Sequence, residues 1–464
     1  MANEFYVGRR LLISMKVLFL NPPALGHKKI VRNIGCSFES KANYLFQPQD
    51  FLLLSSFLTA DDELFFWDFI VSPLNEKQIF KNIHDQQFEL VIMMLADCFW
   101  TYDLSFLKKL RSHYKKTLWV AGDAFLDEEN RSEANPFADA YIPHPFNLKI
   151  KSPISSSIGI QSLKEGPQYL KEKIIHNIAP KHELFLNQAY RWPFAKYKLY
   201  SNIFASWGCP YSCTYCPNSH FPFHQRTVSQ VIDELKNLKK LNVKEFYLGD
   251  RSFGFPKDYC LELLREIQKE KLHFSWSCYF HPLHADEELI TEMKASGCHT
   301  IIIGIEHHDQ TKLYNYSRKI PQEKFDLLFR LTTKYKIDVC GDFIIGLPDQ
   351  NIDDINSLIK LSCKLPLSYA SFNLMTPLPG TLYREEVKKK IPQNERQNFD
   401  SLGKRNTFSS GKISAKDLQK IRNKAIFKFY TRPSYLFKRL LGIQSFEHFL
   451  IQFEEMIHLL KKAF

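Results

Sequence analysis

The chain has 464 residues, 44% of them hydrophobic, with a formal net charge of +12. That length calls for more than one domain, and that apolar content supplies sizeable cores, which excludes a disordered or fibrous chain. The positive excess favours anionic partners or surfaces without naming one, and no uncharged apolar stretch is long enough to span a membrane.

In chain order, residues 1–14 place Arg9 and Arg10 before an apolar run, in the manner of a signal peptide, but Lys16 interrupts the run and no small-residue cleavage site follows. They are expected to be an N-terminal extension without an export role. From Lys16 the run KVLFLNPP is apolar on both faces and stops at two prolines, as a central parallel strand would. A helix over 50–60, a strand over 63–70, a helix over 75–86, a strand over 88–95, a helix over 104–114 and a strand over 117–121 complete a β-α-β-α-β-α-β order. Residues 15–145 therefore predict a Rossmann-like, doubly wound parallel sheet, a fold that binds ligands at the carboxyl ends of its strands.

Residues 146–194 read as a linker with one helical stretch over 167–177 that opens on a proline. From residue 200 strand–helix units recur about every thirty residues, the rhythm of a βα barrel. Strands are predicted over 202–206, 245–248, 274–278, 300–304, 339–345 and 370–374, with helices over 229–241, 257–271, 286–295, 322–334 and 352–364. Six units make a partial (β/α)6 TIM-type barrel over 195–413. The remainder, 414–464, predicts amphipathic helices with Phe and Leu recurring through 427–441 and 446–460, a face expected to pack on the chain's own core. Contact with a membrane surface through Lys438, Arg439, Lys461 and Lys462 is the alternative. The fold class is α/β, with C-terminal helices.

The chemistry concentrates directly after the first barrel strand, at the face where barrel active sites are built. There Ser206-Trp207-Gly208-Cys209-Pro210-Tyr211-Ser212-Cys213-Thr214-Tyr215-Cys216-Pro217 sets three cysteines in a loop that glycine and proline keep from becoming a helix. Three thiolates hold a [4Fe–4S] cube while leaving one iron open. A zinc site closed by His220 or His224 is the alternative, although structural zinc normally uses two close ligand pairs. The other cysteines (Cys36, Cys98, Cys260, Cys278, Cys298, Cys340 and Cys363) are scattered, as in a reducing cytoplasm. His281 and His284, after the third strand, read as polar loop residues with substrate contact as the alternative. His307 and His308 are not expected to bind metal, because adjacent side chains diverge on a strand and no third ligand is evident.

CxxxCxxC with an aromatic before its last cysteine resembles the signature of the radical SAM superfamily. The resemblance implies that Cys209, Cys213 and Cys216 ligate a [4Fe–4S] cluster and that Tyr215 lies near the adenine of S-adenosylmethionine (SAM). It also implies that one electron cleaves SAM to methionine and a 5′-deoxyadenosyl radical. Gly249-Asp250-Arg251-Ser252-Phe253 resembles a D-D-x-F element, with Arg251 in place of the second acid; Gly249 and Asp250 are implied cofactor contacts. Gly304-Ile305-Glu306 resembles a G-x-E element whose Glu306 would take the ribose hydroxyls or amino group of SAM. Gly346, in Gly341-Asp342-Phe343-Ile344-Ile345-Gly346-Leu347-Pro348, would lie beside the adenine. Pro377-Leu378-Pro379-Gly380-Thr381 and Arg432-Pro433-Ser434-Tyr435 match further elements of the group.

Residues 15–145 resemble the cobalamin-binding domain that precedes many such barrels, in KVLFLNPP and in 51–69. They lack DxHxxG, carry Ala121-Gly122-Asp123-Ala124 where GGxH is usual, and replace the closing Gly-Glu element by Asp139-Ala140-Tyr141-Ile142-Pro143-His144-Pro145. Bound cobalamin and a degenerate sheet kept for packing or substrate capture both fit. The resemblance implies methyl transfer, or ring or C–C bond formation, on a small-molecule substrate. An electron donor such as flavodoxin or ferredoxin is implied, nucleic acid is not expected, and the location is cytoplasmic. The alternatives are a tRNA methylthiotransferase, which needs a second cysteine triad where only Cys36 and Cys98 stand, and a cluster-binding protein without turnover.

Overall fold

The computed structural model describes residues 15–24, 29–32, 37, 45–58, 62–143, 179–391, 399, 408, 409 and 412–441, with the helical positions 449, 450, 453 and 457. The helix expected over 167–177 and most of the last amphipathic stretch lie outside these residues.

Strand β1 (Lys16–Asn21) is buried from Val17 onward because it is central: it pairs in parallel with β2 (Glu63–Asp68) on one side and β3 (Leu90–Met94) on the other. Next come β4 (Thr117–Ala121) and β5 (Ala140–Ile142), giving a parallel five-stranded sheet in the order β2-β1-β3-β4-β5. Helices α2 (Glu76–Gln86) and α3 (Trp100–His113) pack Ile79, Ile83, Leu107 and Leu110 on one face. Helix α1 (Gln49–Leu54) packs Phe51, Leu52 and Leu54 on the other, joined by Phe185 of α5 (His182–Phe185). This is the expected doubly wound sheet, with its switch point between β1 and β3. It differs in detail: the helix expected over 50–60 gives way to a 3-10 turn at Ser55–Phe57, β5 is a fifth strand, and α4 (Glu128–Ala134) was not foreseen.

The second sheet comprises β6 (Tyr200–Ile203), β9 (Glu245–Phe253), β10 (Ser275–Phe280), β11 (Cys298–Glu306), β12 (Asp338–Ile345) and β13 (Tyr369–Leu374), parallel and adjacent in chain order. Since β6 and β13 are both edges, the barrel is open on one side. A short antiparallel pair, β7 (Ser206–Trp207) with β8 (His224–Gln225), interrupts the series after β6. Five helices cover the convex face: α6 (Val228–Lys240), α7 (Lys257–Lys269), α8 (Glu287–Ala295), α9 (Gln322–Lys334) and α10 (Ile352–Lys364). Strand alternation sends Phe246, Leu248, Trp276, Ile301, Ile303 and Val339 outward to those helices. Tyr200, Tyr247, Ile302 and Cys340 face inward, where Tyr190 and Trp192 pack against them; Trp192 stacks on Tyr247 at 3.9 Å and donates from Nε1 to Ser277 Oγ.

After the barrel come α11 (Leu382–Lys388), α12 (Ala415–Tyr430) and α13 (Pro433–Leu441). Helix α12 covers the β13 edge: Tyr430 Oη takes Ala370 N–H and donates to Ala370 O, and Arg422 Nε donates to Phe372 O. Among the described residues no helix is long and apolar enough to cross a membrane.

Candidate functional site

The three cysteines follow β7, where the chain turns at Gly208. This glycine has φ +72°, and a Cβ there would lie 2.2 Å from Pro222 O, so no other residue fits without moving the backbone. Backbone bonds tie the loop to three places: Cys209 N–H to Phe221 O, Thr214 N–H to Tyr316 O, and Tyr383 N–H to Thr214 O. The loop is thus held on the barrel rim by segments distant in sequence, which fixes the cysteine positions before any ligand arrives.

The thiols are close enough to influence one another. Burial, with the neighbouring Cys216 and Cys213 adding to it and Tyr211 N–H and Arg318 opposing, pushes Cys209 up to about 12. Burial also raises Cys213, with Arg318 again opposing. Cys209 and Cys213 therefore resist ionisation until a cationic centre takes the protons' place, which is the behaviour of metal-ligating thiols.

Arg318, which sequence reasoning missed, lies beside them. It is 8% exposed, its Nη2 donates to Gly304 O at 2.5 Å, and its Nε has no hydrogen-bond partner among the described residues. Its charge acts on Cys213, Tyr215 and Glu306 together. Glu306 ends β11 as the centre of a tight turn, with φ +63° and a His307 N–H to Ile305 O bond of 2.7 Å. A non-glycine residue in this region is strained, and such strain persists where the surroundings enforce it. Burial pushes the Glu306 carboxyl up to about 7, with Asp342 adding to the rise and Arg318 opposing it. The Tyr215 hydroxyl is buried without a partner among the described residues, and its ring meets Tyr316 edge-on. Cysteines, Tyr215, Glu306 and Arg318 therefore share one polar recess.

The other expected contacts fall elsewhere. Asp250 belongs to β9, which runs on through Phe253; its carboxylate takes Ala205 N–H at 2.8 Å and Ser206 Oγ–H at 2.6 Å and braces the root of the cysteine loop. Gly249 makes room for Phe204, whose ring would meet a Cβ at 2.4 Å. Gly346 faces Leu418 of α12. His281 and His284 reach the loop through Tyr211, which stacks on His281 at 4.0 Å and whose hydroxyl lies 2.7 Å from His284 Nε2. Burial lowers His281 to about 2 and His284 to about 4, so both imidazoles are neutral.

Residues 205–362, from just before the cysteine loop to the end of α10, match the family model of the radical SAM superfamily. The chain carries a radical SAM domain. It is 30% identical over 299 residues to an uncharacterized methyltransferase of Pyrococcus horikoshii, an alignment that covers 61% of each protein. It is 25% identical over 214 residues to the bacteriochlorophyllide d C-12(1)-methyltransferase of Chlorobaculum tepidum, covering 44% of this chain and 46% of that one. The chain thus spans between just under half and three fifths of the length of these curated relatives. Among solved structures, the radical S-adenosylmethionine methyltransferase TsrM from Kitasatospora setae, with cobalamin and a [4Fe-4S] cluster bound, aligns with TM-score 0.61 at 14% identity over 81% of this chain and 78% of that one. The cobalamin-dependent S-adenosylmethionine radical enzyme OxsB, in its apo form, gives TM-score 0.65 at 15% identity over 95% and 72%. At these identities the likeness is one of fold, and it extends well beyond the radical SAM domain.

The sheet domain meets the barrel through a buried charge cluster. Arg384 of α11 donates from Nε to Asp127 Oδ2 at 2.7 Å and from Nη2 to Asp97 Oδ1 at 3.1 Å, and Lys388 adds a bond to Asp127. Asp97 follows β3, and Asp123 follows β4. Asp123 Oδ1 and Asp50 Oδ2 are buried without hydrogen-bond partners among the described residues.

Proposed function

We propose that this chain is a radical SAM enzyme that transfers a methyl group to, or closes a ring or C–C bond on, a small organic molecule. The observation that carries the reading is the rim-anchored loop of three neighbouring thiols beside Arg318 and Glu306. Cys209, Cys213 and Cys216 would hold a [4Fe–4S] cluster. Bound there, the cluster supplies the electron that cleaves SAM to methionine and a 5′-deoxyadenosyl radical.

The protein's own residues would bind and orient. Arg318 offers a guanidinium to the SAM carboxylate, Glu306 accepts from its amino group or ribose hydroxyls, and Tyr215 presents its ring to the adenine. Asp250 and Gly249 keep the loop root rigid, and Gly346 lets α12 close against the end of β12. Neutral His281 and His284 hold Tyr211 in place and help keep water away from the thiols. A reductant such as flavodoxin or ferredoxin would deliver the electron, in a reducing, cytoplasmic setting that suits the scattered cysteines.

A corrinoid would lie at the carboxyl ends of β3 and β4, where doubly wound sheets take their ligands. The partnerless oxygens of Asp50 and Asp123 would accept from its amide side chains. The methyltransferase names of the relatives and the cobalamin in TsrM support the same reading.

Anaerobic reconstitution with iron and sulfide tests it. The wild type should load a cluster and form 5′-deoxyadenosine from SAM under reduction, and Cys213→Ala should do neither. Zinc in the native protein, or cleavage that survives Cys213→Ala, would overturn the reading. S-adenosylhomocysteine among the products favours methylation, and retention of hydroxocobalamin through gel filtration separates a corrinoid enzyme from one with a degenerate sheet.

A further inference from the structure

The sequence gives no reason to expect His307 and His308 to converge, since neighbours on a strand point to opposite faces. The tight turn at Glu306 ends the strand before them. With alternation broken, the two rings lie together, their centroids 4.5 Å apart. The third group comes from α10: Asp354, whose carboxylate is oriented by a capping box in which Asp354 N–H donates to Asn351 Oδ1 and Asn351 N–H donates to Asp354 Oδ2. One ligand atom from each of His307, His308 and Asp354 lies within 4.8 Å of the other two.

Two buried ring nitrogens there, His307 Nε2 and His308 Nδ1, have no hydrogen-bond partner among the described residues. His307 is fully buried; its Nδ1 takes Asp309 N–H at 2.9 Å and lies 3.0 Å from Asp309 O. Loading a metal on Nε2 requires the tautomer with hydrogen on Nδ1, which exchanges the bond from Asp309 N–H for one to Asp309 O, the kind of carbonyl contact that orients metal-bound histidines. In the absence of a metal the cation facing Asp354 is Lys312, whose Nζ lies 2.9 Å from both carboxylate oxygens.

We infer that His307, His308 and Asp354 form a site for a divalent transition-metal cation, distinct from the cysteine loop, with Lys312 as the cation it displaces. Two imidazoles and one carboxylate suit zinc, cobalt or iron(II) and are a poor match for calcium or magnesium, which prefer oxygen ligands. Three protein ligands leave at least one coordination position open. Ligand atoms around a tetrahedral zinc stand roughly 3.4 Å apart, so loading requires the partly exposed His308 to close in and the Lys312 ammonium to swing outward. A bound ion would link the turn after β11 to the start of α10 and so stiffen the backbone that carries Glu306. The site does not depend on the cysteines holding a cluster.

The test is titration of the anaerobically purified full-length protein with cobalt(II) chloride, read by its visible d–d bands and by bound cobalt per chain after gel filtration. Wild type should bind one equivalent without a thiolate charge-transfer band and should melt at a higher temperature when loaded. His307→Ala and the near-isosteric Asp354→Asn should each weaken binding by at least about tenfold and abolish the thermal shift. Lys312→Met should tighten binding several-fold. Iron and sulfide content should stay at the wild-type level in all three, which separates this site from the cluster. Absence of saturable cobalt binding, or binding that persists in both His307→Ala and Asp354→Asn, would overturn the inference.

Discussion

Single residues carry much of the site's preparation, and Asp50 shows how this appears in stability. It sits at the start of α1, 5% exposed, with Oδ2 unpartnered among the described residues, and burial raises its carboxyl to about 6, with Arg251 opposing. Because the folded protein ionises this group less readily than the unfolded chain, Asp50 costs nothing below about pH 4. Stability is lost as pH rises through 6, and the cost is constant above that. Asp50→Asn should therefore gain on wild type with rising pH, by about 2–3 kcal/mol at pH 8 for a shift of about two units, and show no gain at pH 4. Urea unfolding midpoints of the two proteins across that range measure it. A gain independent of pH would mean that Asp50 is not held as a buried charge. The residue scale is also where the sequence was readable only in part: the cysteine spacing is local and legible, whereas Arg318 joins the cysteines through the fold of β11 and carries no motif. Glu306 was legible as a G-x-E element, but its left-handed backbone and its consequence for His307 and His308 were not.

The helices read over 75–86, 229–241 and 352–364 were legible along the chain, and in the structure each opens on a capping box. In α6 the box is Thr227 with Gln230, in α2 Asn75 with Gln78, and in α10 Asn351 with Asp354. Strand β5 is three residues long and α4 buries only Asn130, Arg131 and Ala134, so neither offers a periodic pattern to read. Both exist because the edge of β4 and the interface behind it are already in place. The segment before β6 is a sharper case. Proline and charge suggest a loose connection there, yet Tyr190 and Trp192 fill the inward face of the barrel, and Tyr190 Oη donates to Asp68 Oδ2 at 2.6 Å. Trp192→Ala should cost about 3–5 kcal/mol, the range for emptying a large buried aromatic site, and leave Ser277 Oγ without its donor. Thermal unfolding, with the intensity of near-ultraviolet circular dichroism from the Trp192–Tyr247 stack, reads both effects. A loss under about 1 kcal/mol would show that the barrel closes without this plug.

At the scale of the whole molecule, the alternation of strands and helices predicted both sheets, but not how they meet. That junction depends on Arg384, a residue whose partners Asp97 and Asp127 belong to the other sheet and which is itself only 2% exposed. A buried guanidinium between two carboxylates adds little net stability relative to an apolar contact of the same shape, but removing it alone strands the Asp97 charge and leaves Asp127 with Lys388 only. Arg384→Met should therefore destabilise by about 3–5 kcal/mol, with Lys388 left to pair with Asp127. The loss should fall first on the contact between the five-stranded sheet and the barrel, making the sheet domain more susceptible to protease while the barrel stays folded. The triple variant Asp97→Asn, Asp127→Asn, Arg384→Met removes the stranded charges and should recover most of the lost stability, because Lys388 is long enough to carry its ammonium to water. Denaturant unfolding combined with limited proteolysis distinguishes the outcomes. Equal stability of Arg384→Met and wild type would mean that apolar contacts such as Leu126 against Gly380 hold the two sheets together without this ion pair.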